Sequence, residues 1–315
     1  MRKFIIRTIV LIIIPIILGA LLCEFFLRQI PNDYSYKNGW LSKNISSVEI
    51  LILGSSHSVY GIKPSCFSAK AFNAAFGSQS LKYDEFILEK FIEKGDSLQF
   101  VILPVSYFSL IGNMENSDEW WRIKKYCIYF HCPYHKLEIK YRTEIVGLPI
   151  FNQVRRIIKC YIKGLNEITV DKLGWCKNDF STKKSNEWWY SNGKGRAEYH
   201  TYHTKDLNMS LILENEKHIE NIIKYCSRQN IRVLLLTTPT YHTYYENLNQ
   251  KQLEMMQYCC DSFSTVYENT YYLNLLKDQR FIENDFGDSD HLNEFGAEKL
   301  SRILNDYCDS LVFQN

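Results

Sequence analysis

The sequence predicts an α/β protein, a three-layer parallel sheet behind an N-terminal transmembrane helix and interrupted by an aromatic-rich insertion. Three observations carry this. Apolar strand-like runs alternate with helical runs over most of the chain. An uncharged stretch, Thr8 to Cys23, lies close to the start. Residues 112–208 break the alternation and concentrate tryptophan and tyrosine.

The apolar stretch from Thr8 continues through Glu24 to Leu27, long enough to cross a hydrocarbon core of roughly 30 Å. Arg2, Lys3 and Arg7 precede it, so the positive-inside tendency leaves the amino terminus in the cytoplasm and everything after about Leu27 beyond the membrane. Pro15 and Gly19 loosen such a helix without forbidding it. A cleaved signal peptide is the competing reading, but no small-x-small site follows and the run is long for one. Leu22 is too large to precede a lipoprotein cysteine at Cys23. Residues 1–30 are therefore read as the anchor and 31–315 as one domain, with 112–208 as its insertion or cap. In that domain Val48–Leu53 is the first strand, Lys70–Ala74 a short second, Leu81–Lys94 a helix and Leu98–Leu103 the third strand. Leu211–Gln229 is helical, and Ile231–Thr237 is an unbroken apolar run suited to a central parallel strand. Leu248–Ser262 is a helix, Tyr271–Leu275 the last strand and Asn293–Leu311 the closing helix. The alternation suits a flavodoxin-like sheet, in which the ends of the first and last core segments meet at the carboxyl edge.

A formal net charge of +2 without a long basic run gives no reason to expect nucleic acid. Ten cysteines allow bridges under oxidising conditions, but their connectivity is not readable, and most suit small buried hydrophobic positions. Cys127, His131, Cys132 and His135, and the pair His200 and His203, lack the usual paired zinc-ligand spacing. Neither a metal nor a cofactor is expected.

Two segments supply the groups of a serine hydrolase. Val48-Glu-Ile-Leu-Ile-Leu-Gly54-Ser55-Ser56 is a buried strand that stops at a glycine and presents hydroxyls at its carboxyl end. Asp288-Ser-Asp290-His291 puts an acid three residues before a histidine, just ahead of a helix. A serine hydroxyl is a poor nucleophile until an imidazole takes its proton, and the imidazole needs a carboxylate to fix its tautomer. Ser56, His291 and Asp288 fill those roles, with Asp290 as rival to Asp288.

The pair of motifs resembles the SGNH (GDSL-like) hydrolase superfamily, with Gly54-Ser55-Ser56 in place of its Gly-Asp-Ser and Asp288-x-x-His291 as its late acid and base. The resemblance covers roughly residues 46–110 and 210–312 and implies that fold. It also implies an oxyanion site made by the Ser56 amide and a glycine amide, for which Gly77 in Phe72-Asn-Ala-Ala-Phe-Gly77 is the candidate. The family's third-block asparagine is missing after Phe100–Pro104, where Ser106 or a backbone amide would have to serve.

Joined to a single-pass anchor, the arrangement is similar to DltD-like and alginate-type O-acetylation proteins, which handle acyl groups on cell-envelope polymers. The resemblance implies an acyl-ester hydrolase or O-acyltransferase acting on a cell-envelope polysaccharide, with its domain outside the cytoplasm on the cell inner membrane. A membrane acyl-donor partner is implied if the reaction is transfer. The alternative is a catalytically degenerate glycan-binding or assembly protein. Trp188 and Trp189 are candidate stacking platforms for a sugar; equally, the insertion's aromatic residues would form its own core or lie at the membrane surface.

Overall fold

Unbroken apolar runs become the strands of a parallel sheet because both faces of such a sheet are covered. A computed structural model describes residues 1–134, 138–177, 184–202 and 208–312, the side chain of Ile5 excepted. In chain order its elements are α1 (Arg2–Arg28), α2 (Asp33–Asn44), β1 (Ile50–Ile52), α3 (Ser56–Gly61), β2 (Ala71–Asn73), α4 (Leu81–Ile92) and β3 (Phe100–Pro104). Then come α5 (Ile123–Lys125, which runs on into a π turn, Tyr126–Phe130), α6 (Ile150–Tyr161), α7 (Asn186–Tyr199) and α8 (Met209–Arg228). β4 (Arg232–Thr237), α9 (His242–Tyr245), α10 (Gln250–Val266), β5 (Thr270–Asn274) and α11 (Glu294–Val312) complete the chain.

Residues 1–39 with 115–169 form one compact unit, and 40–114 with 170–315 form the other. The stretch 112–208 is thus divided between the two.

The second unit holds a five-stranded sheet, all parallel, in the order β2-β1-β3-β4-β5. This is the flavodoxin-like order, which reverses direction between β1 and β3 and opens a crevice there at the carboxyl ends of the strands. The register sets Ile52, Ile102, Leu234 and Tyr271 in one row on one face. That face packs against Leu300, Leu304 and Leu311 of α11. The opposite row, Leu51, Val101 and Val233, is equally buried. On that side the Thr237 hydroxyl lies 3.7 Å from Met256 Sδ of α10, and α4 packs on α8. Helices on both faces make three layers.

In the first unit, α1 is long and apolar enough to cross a membrane, and its apolar side chains are exposed along its length. Its carboxyl end is built into the unit. Glu24 accepts from the backbone N–H of Glu144 (3.1 Å) and Ile145 (2.9 Å), Arg28 donates to Arg142 O (2.5 Å), and Leu27 and Ile30 are buried. Beneath them Glu144, wholly buried, pairs with Lys125 (2.6 Å) and Arg156 (3.1 Å). No disulfide forms among the described residues, and Cys226, Cys259, Cys260 and Cys308 are buried thiols.

Candidate active site

The carboxyl end of β1 sets the position of Ser56. Gly54 has φ +107°, and a Cβ there would collide with Ser58 Oγ and the Pro104 ring, so only glycine makes this turn without strain. The turn is held from both sides: Gly54 N–H donates to Asp84 Oδ1 (2.6 Å) and Gly54 O accepts from Phe76 N (3.2 Å). Ser56 then opens α3 with its hydroxyl half-exposed, while His57 and Ser58 turn inward. The first helical bonds run from Ser58 N and Val59 N to Ser55 O, so the Ser56 amide precedes the hydrogen-bonded ladder.

The loop 285–293 sets the histidine. Phe286 pairs with Leu292, Gly287 N donates to His291 O (2.9 Å), and Asn293 Oδ1 caps α11 by accepting from Phe295 N (2.9 Å) and Gly296 N (3.1 Å). Within the loop Asp288 Oδ1 accepts from the amides of Asp290 (3.1 Å) and His291 (2.8 Å).

These two segments meet. Ser56 Oγ lies 2.8 Å from His291 Nε2, and His291 Nδ1 lies 2.9 Å from Asp288 Oδ1 and 3.0 Å from Oδ2. Asp290 Oδ1 stands 3.5 Å from the same Nδ1, so Asp288 has the better orienting geometry. The Ser56, Asp288 and His291 side chains expected from the sequence are therefore in one hydrogen-bonded line.

Asp290 sits at the centre of a second cluster. Its Oδ2 is 3.4 Å from His57 Nε2 and 3.9 Å from His200 Nδ1, and its Oδ1 is 3.4 Å from Arg196 Nε. Burial disfavours a charge on Asp290, yet the surrounding imidazoles of His291, His57 and His200 hold its carboxyl well below the usual carboxylate range. Burial likewise disfavours charging His291, but the Asp290 and Asp288 carboxylates outweigh it and raise its pKa above the ordinary imidazole value. Burial dominates at His57, which is lowered, and at His200, lowered to about 4, so both are neutral near pH 7. His57, Asp290 and His291 also place one ligand atom each within 4.8 Å of the others, a spacing a metal ion tolerates. Their nitrogens already face Ser106, Asp290, Asp288 and Ser56.

Residues of α7 and the segment before it hold the loop from outside. Asn192 Oδ1 accepts from Ser289 N (3.0 Å) and Ser289 Oγ (2.6 Å), Arg196 Nη2 lies 3.6 Å from Asp288 Oδ2, and Lys184 Nζ donates to Gly287 O. Gly193 lets α7 approach α9, since a Cβ there would strike the Thr243 backbone. The signal in the sequence for Asn192, Arg196 and His200 is their spacing of four residues, which puts all three on one side of a helix.

Gly77 lies in the turn after β2, next to the Phe76 amide that bonds Gly54 O. Ser106 is fully engaged: its Oγ is 2.7 Å from His57 Nδ1 and its amide donates to Ser109 Oγ (2.8 Å). Trp189 is buried in the core beside Tyr241, ring centroids 4.8 Å apart, whereas Trp188 is half-buried with Lys184 Nζ 4.0 Å over its ring. Trp175 is also buried, its Nε1 donating to Tyr60 O (2.7 Å). His131 closes the π turn in the left-handed region. His135 and His203 lie outside the described residues.

No protein-family model and no curated protein matches the chain. Among solved structures, the chain is similar to a proposed platelet activating factor from Streptococcus pneumonia, with 14% identity, 94% of this chain and 97% of that one covered, and TM-score 0.41. It is similar to a proposed acylhydrolase from Bacteroides fragilis NCTC 9343, with 8% identity, 84% and 87% covered, and TM-score 0.41. A proposed lipolytic protein of the G-D-S-L family from Desulfitobacterium hafniense DCB-2 gives 9% identity, 83% and 97% covered, and TM-score 0.39. These are long but loose superpositions, and the fold and site stand on the strand order and distances above.

Proposed function

We propose that this chain is a membrane-anchored, SGNH-type serine esterase or O-acyltransferase acting on acyl esters of a cell-envelope polysaccharide. The observation that carries the chemistry is the line Ser56 Oγ, His291 Nε2, His291 Nδ1, Asp288, with contacts of 2.8 and 2.9 Å. Ser56 Oγ attacks the ester carbonyl as its proton passes to His291 Nε2, and Asp288 stabilises the imidazolium. The tetrahedral oxyanion is held by the Ser56 and Gly77 amides. Collapse breaks the ester C–O bond, and the leaving alkoxide takes the proton back from Nε2. Water, or a sugar hydroxyl in a transferase, gives a proton to Nε2 and attacks the acyl-enzyme carbonyl; the acyl C–Oγ bond then breaks and Ser56 Oγ takes that proton back from Nε2.

The location is supported by α1. Its flanking Arg2, Lys3 and Arg7 favour an extracytoplasmic domain, and the bonds from Glu24 and Arg28 into the first unit support an anchor that is retained. Trp189 is taken up by the core and Trp188, partly buried, packs against its edge, so Trp188 is the candidate sugar platform. A membrane partner would deliver the acyl donor in the transfer case.

One observation favours the non-catalytic alternative of a glycan-binding or assembly protein: both donors of Ser106 are engaged, so the missing third-block asparagine has no replacement there. Loss of one oxyanion donor costs about 10²–10³ in rate. Turnover of p-nitrophenyl acetate by the purified chain, compared with Ser56→Ala, separates the two. Ser56-dependent release of nitrophenolate is the expected result, and equal background rates in both proteins would leave only the binding alternative.

A further inference from the structure

The geometry points to α6 as a second membrane contact, a helix lying in the plane of the lipid surface beside the anchor. Helix α6 is inside-out. Gln153, wholly buried, donates to Glu144 O (2.6 Å), and Arg156 turns inward to Glu144 (3.1 Å) and Glu167 (2.6 Å). The apolar residues face outward: Phe151 is 73% exposed, Ile162 77% and Leu165 56%, with Val154, Ile158 and Tyr161 also exposed. At about 100° per residue Phe151, Val154, Ile158, Tyr161 and the C-cap residue Ile162 fall on one arc of roughly 100°, a continuous stripe, and Leu165 follows just beyond the left-handed turn at Gly164. Arg155 and Lys159 lie along one edge of it and Lys163 in the turn just after it, all exposed.

A surface helix in water turns its apolar stripe to the core. Here the polar side is spent on a buried ion-pair network, so the exposed stripe needs a non-aqueous surface. Its occupant is identified by continuity with α1. Tyr161 OH donates to Phe26 O (3.1 Å) and the two rings meet edge to face at 5.3 Å, so the stripe begins where the membrane-length helix ends. An apolar stripe with a basic edge, attached at the exit of such a helix, fits an interfacial helix whose cations reach anionic headgroups. The inference rests on the reading of α1 as an anchor.

The test uses the full chain in nanodiscs of phosphatidylethanolamine and phosphatidylglycerol. p-Benzoylphenylalanine is placed singly at Phe151, Ile162, Leu11 in α1 and Glu198 on α7; after irradiation the adducts are identified by mass spectrometry. Lipid adducts at Phe151, Ile162 and Leu11, with only background at Glu198, are expected. Lipid adducts at Leu11 but not at Phe151 or Ile162 overturn the inference and leave the anchor standing; adducts from those two sites to a second copy of the chain overturn it in favour of self-association. Absence at Leu11 as well removes both readings. In Phe151→Glu/Ile162→Glu, with the probe at Val154, the lipid adduct should fall at least tenfold without a change in melting temperature, because both side chains are exposed. Retention of the adduct in that variant would also count against the inference.

Discussion

Replacing Asp288 by asparagine tests how two carboxylates share one histidine. Asp288 Oδ1 accepts from the Asp290 and His291 amides, so an asparagine keeps its oxygen there and turns its amide nitrogen toward His291 Nδ1, 3.0 Å from the present Oδ2. That nitrogen donates, which favours the tautomer with its proton on Nε2, the wrong one for a base. Asp290 Oδ1 remains 3.5 Å from Nδ1, however. At an effective dielectric constant of about 20, a carboxylate about 3 Å from an imidazolium nitrogen is worth about 5 kcal/mol, and one half an ångström further only slightly less. Where a single aspartate orients the histidine its loss costs about 10⁴ in kcat; with Asp290 in place, Asp288→Asn is expected to cost about 10²–10³ in kcat/KM for p-nitrophenyl acetate. Asp290→Asn is expected to cost about tenfold, and the double variant more than the product of the two, because each carboxylate compensates for the other. Melting temperatures of all three check folding. Wild-type kcat/KM in Asp288→Asn would refute the reasoning, and a larger loss in Asp290→Asn would exchange the two roles.

Because His291 acts as a base only when neutral and its pKa is raised, kcat/KM should fall on acidification with a midpoint above the ordinary imidazole value of about 6.5, moving down in Asp290→Asn; a midpoint at or below that value contradicts this. Burial pushes the Asp84 carboxyl from 3.8 up to about 7, so the folded state holds its proton more tightly and stability is lost as pH rises through that window. Asp84→Asn should therefore melt higher relative to wild type at about pH 8 than at about pH 5, by thermal denaturation. Gly54→Ala, forced into a positive φ and against Ser58 and Pro104, should cost about 2 kcal/mol or more in urea unfolding and lower the esterase rate. Trp189→Ala should cost about 3–5 kcal/mol as a core truncation, while Trp188→Ala should leave p-nitrophenyl acetate turnover unchanged and weaken action on an acylated polysaccharide.

The strands were legible because central parallel strands are continuous apolar runs, and Val48–Leu53 and Ile231–Thr237 contain nothing else that competes with that pattern, Glu49 and Arg232 aside. Ser56, Asp288 and His291 were legible because each sits at a fixed offset from a turn glycine or a helix start. The surroundings of Asp290 were not, since His57, His200 and Arg196 arrive from segments remote in sequence and meet it only through packing. Within the stretch 112–208 two of the helices differ in use: α7 packs against the histidine loop, and α6 has a periodicity that reveals an apolar stripe but not which side faces in. Its direction is set by Glu144, whose buried charge draws Arg156 inward.

The most direct test of the account is covalent. A fluorophosphonate phosphonylates a serine oxygen only where a neighbouring base activates it. After treatment of the full chain in detergent, peptide mapping should place a single adduct on Ser56, with labelling abolished in Ser56→Ala and His291→Ala. An adduct on Ser55 or Ser58, or labelling undiminished in Ser56→Ala, would contradict the assignment of Ser56 as the nucleophile.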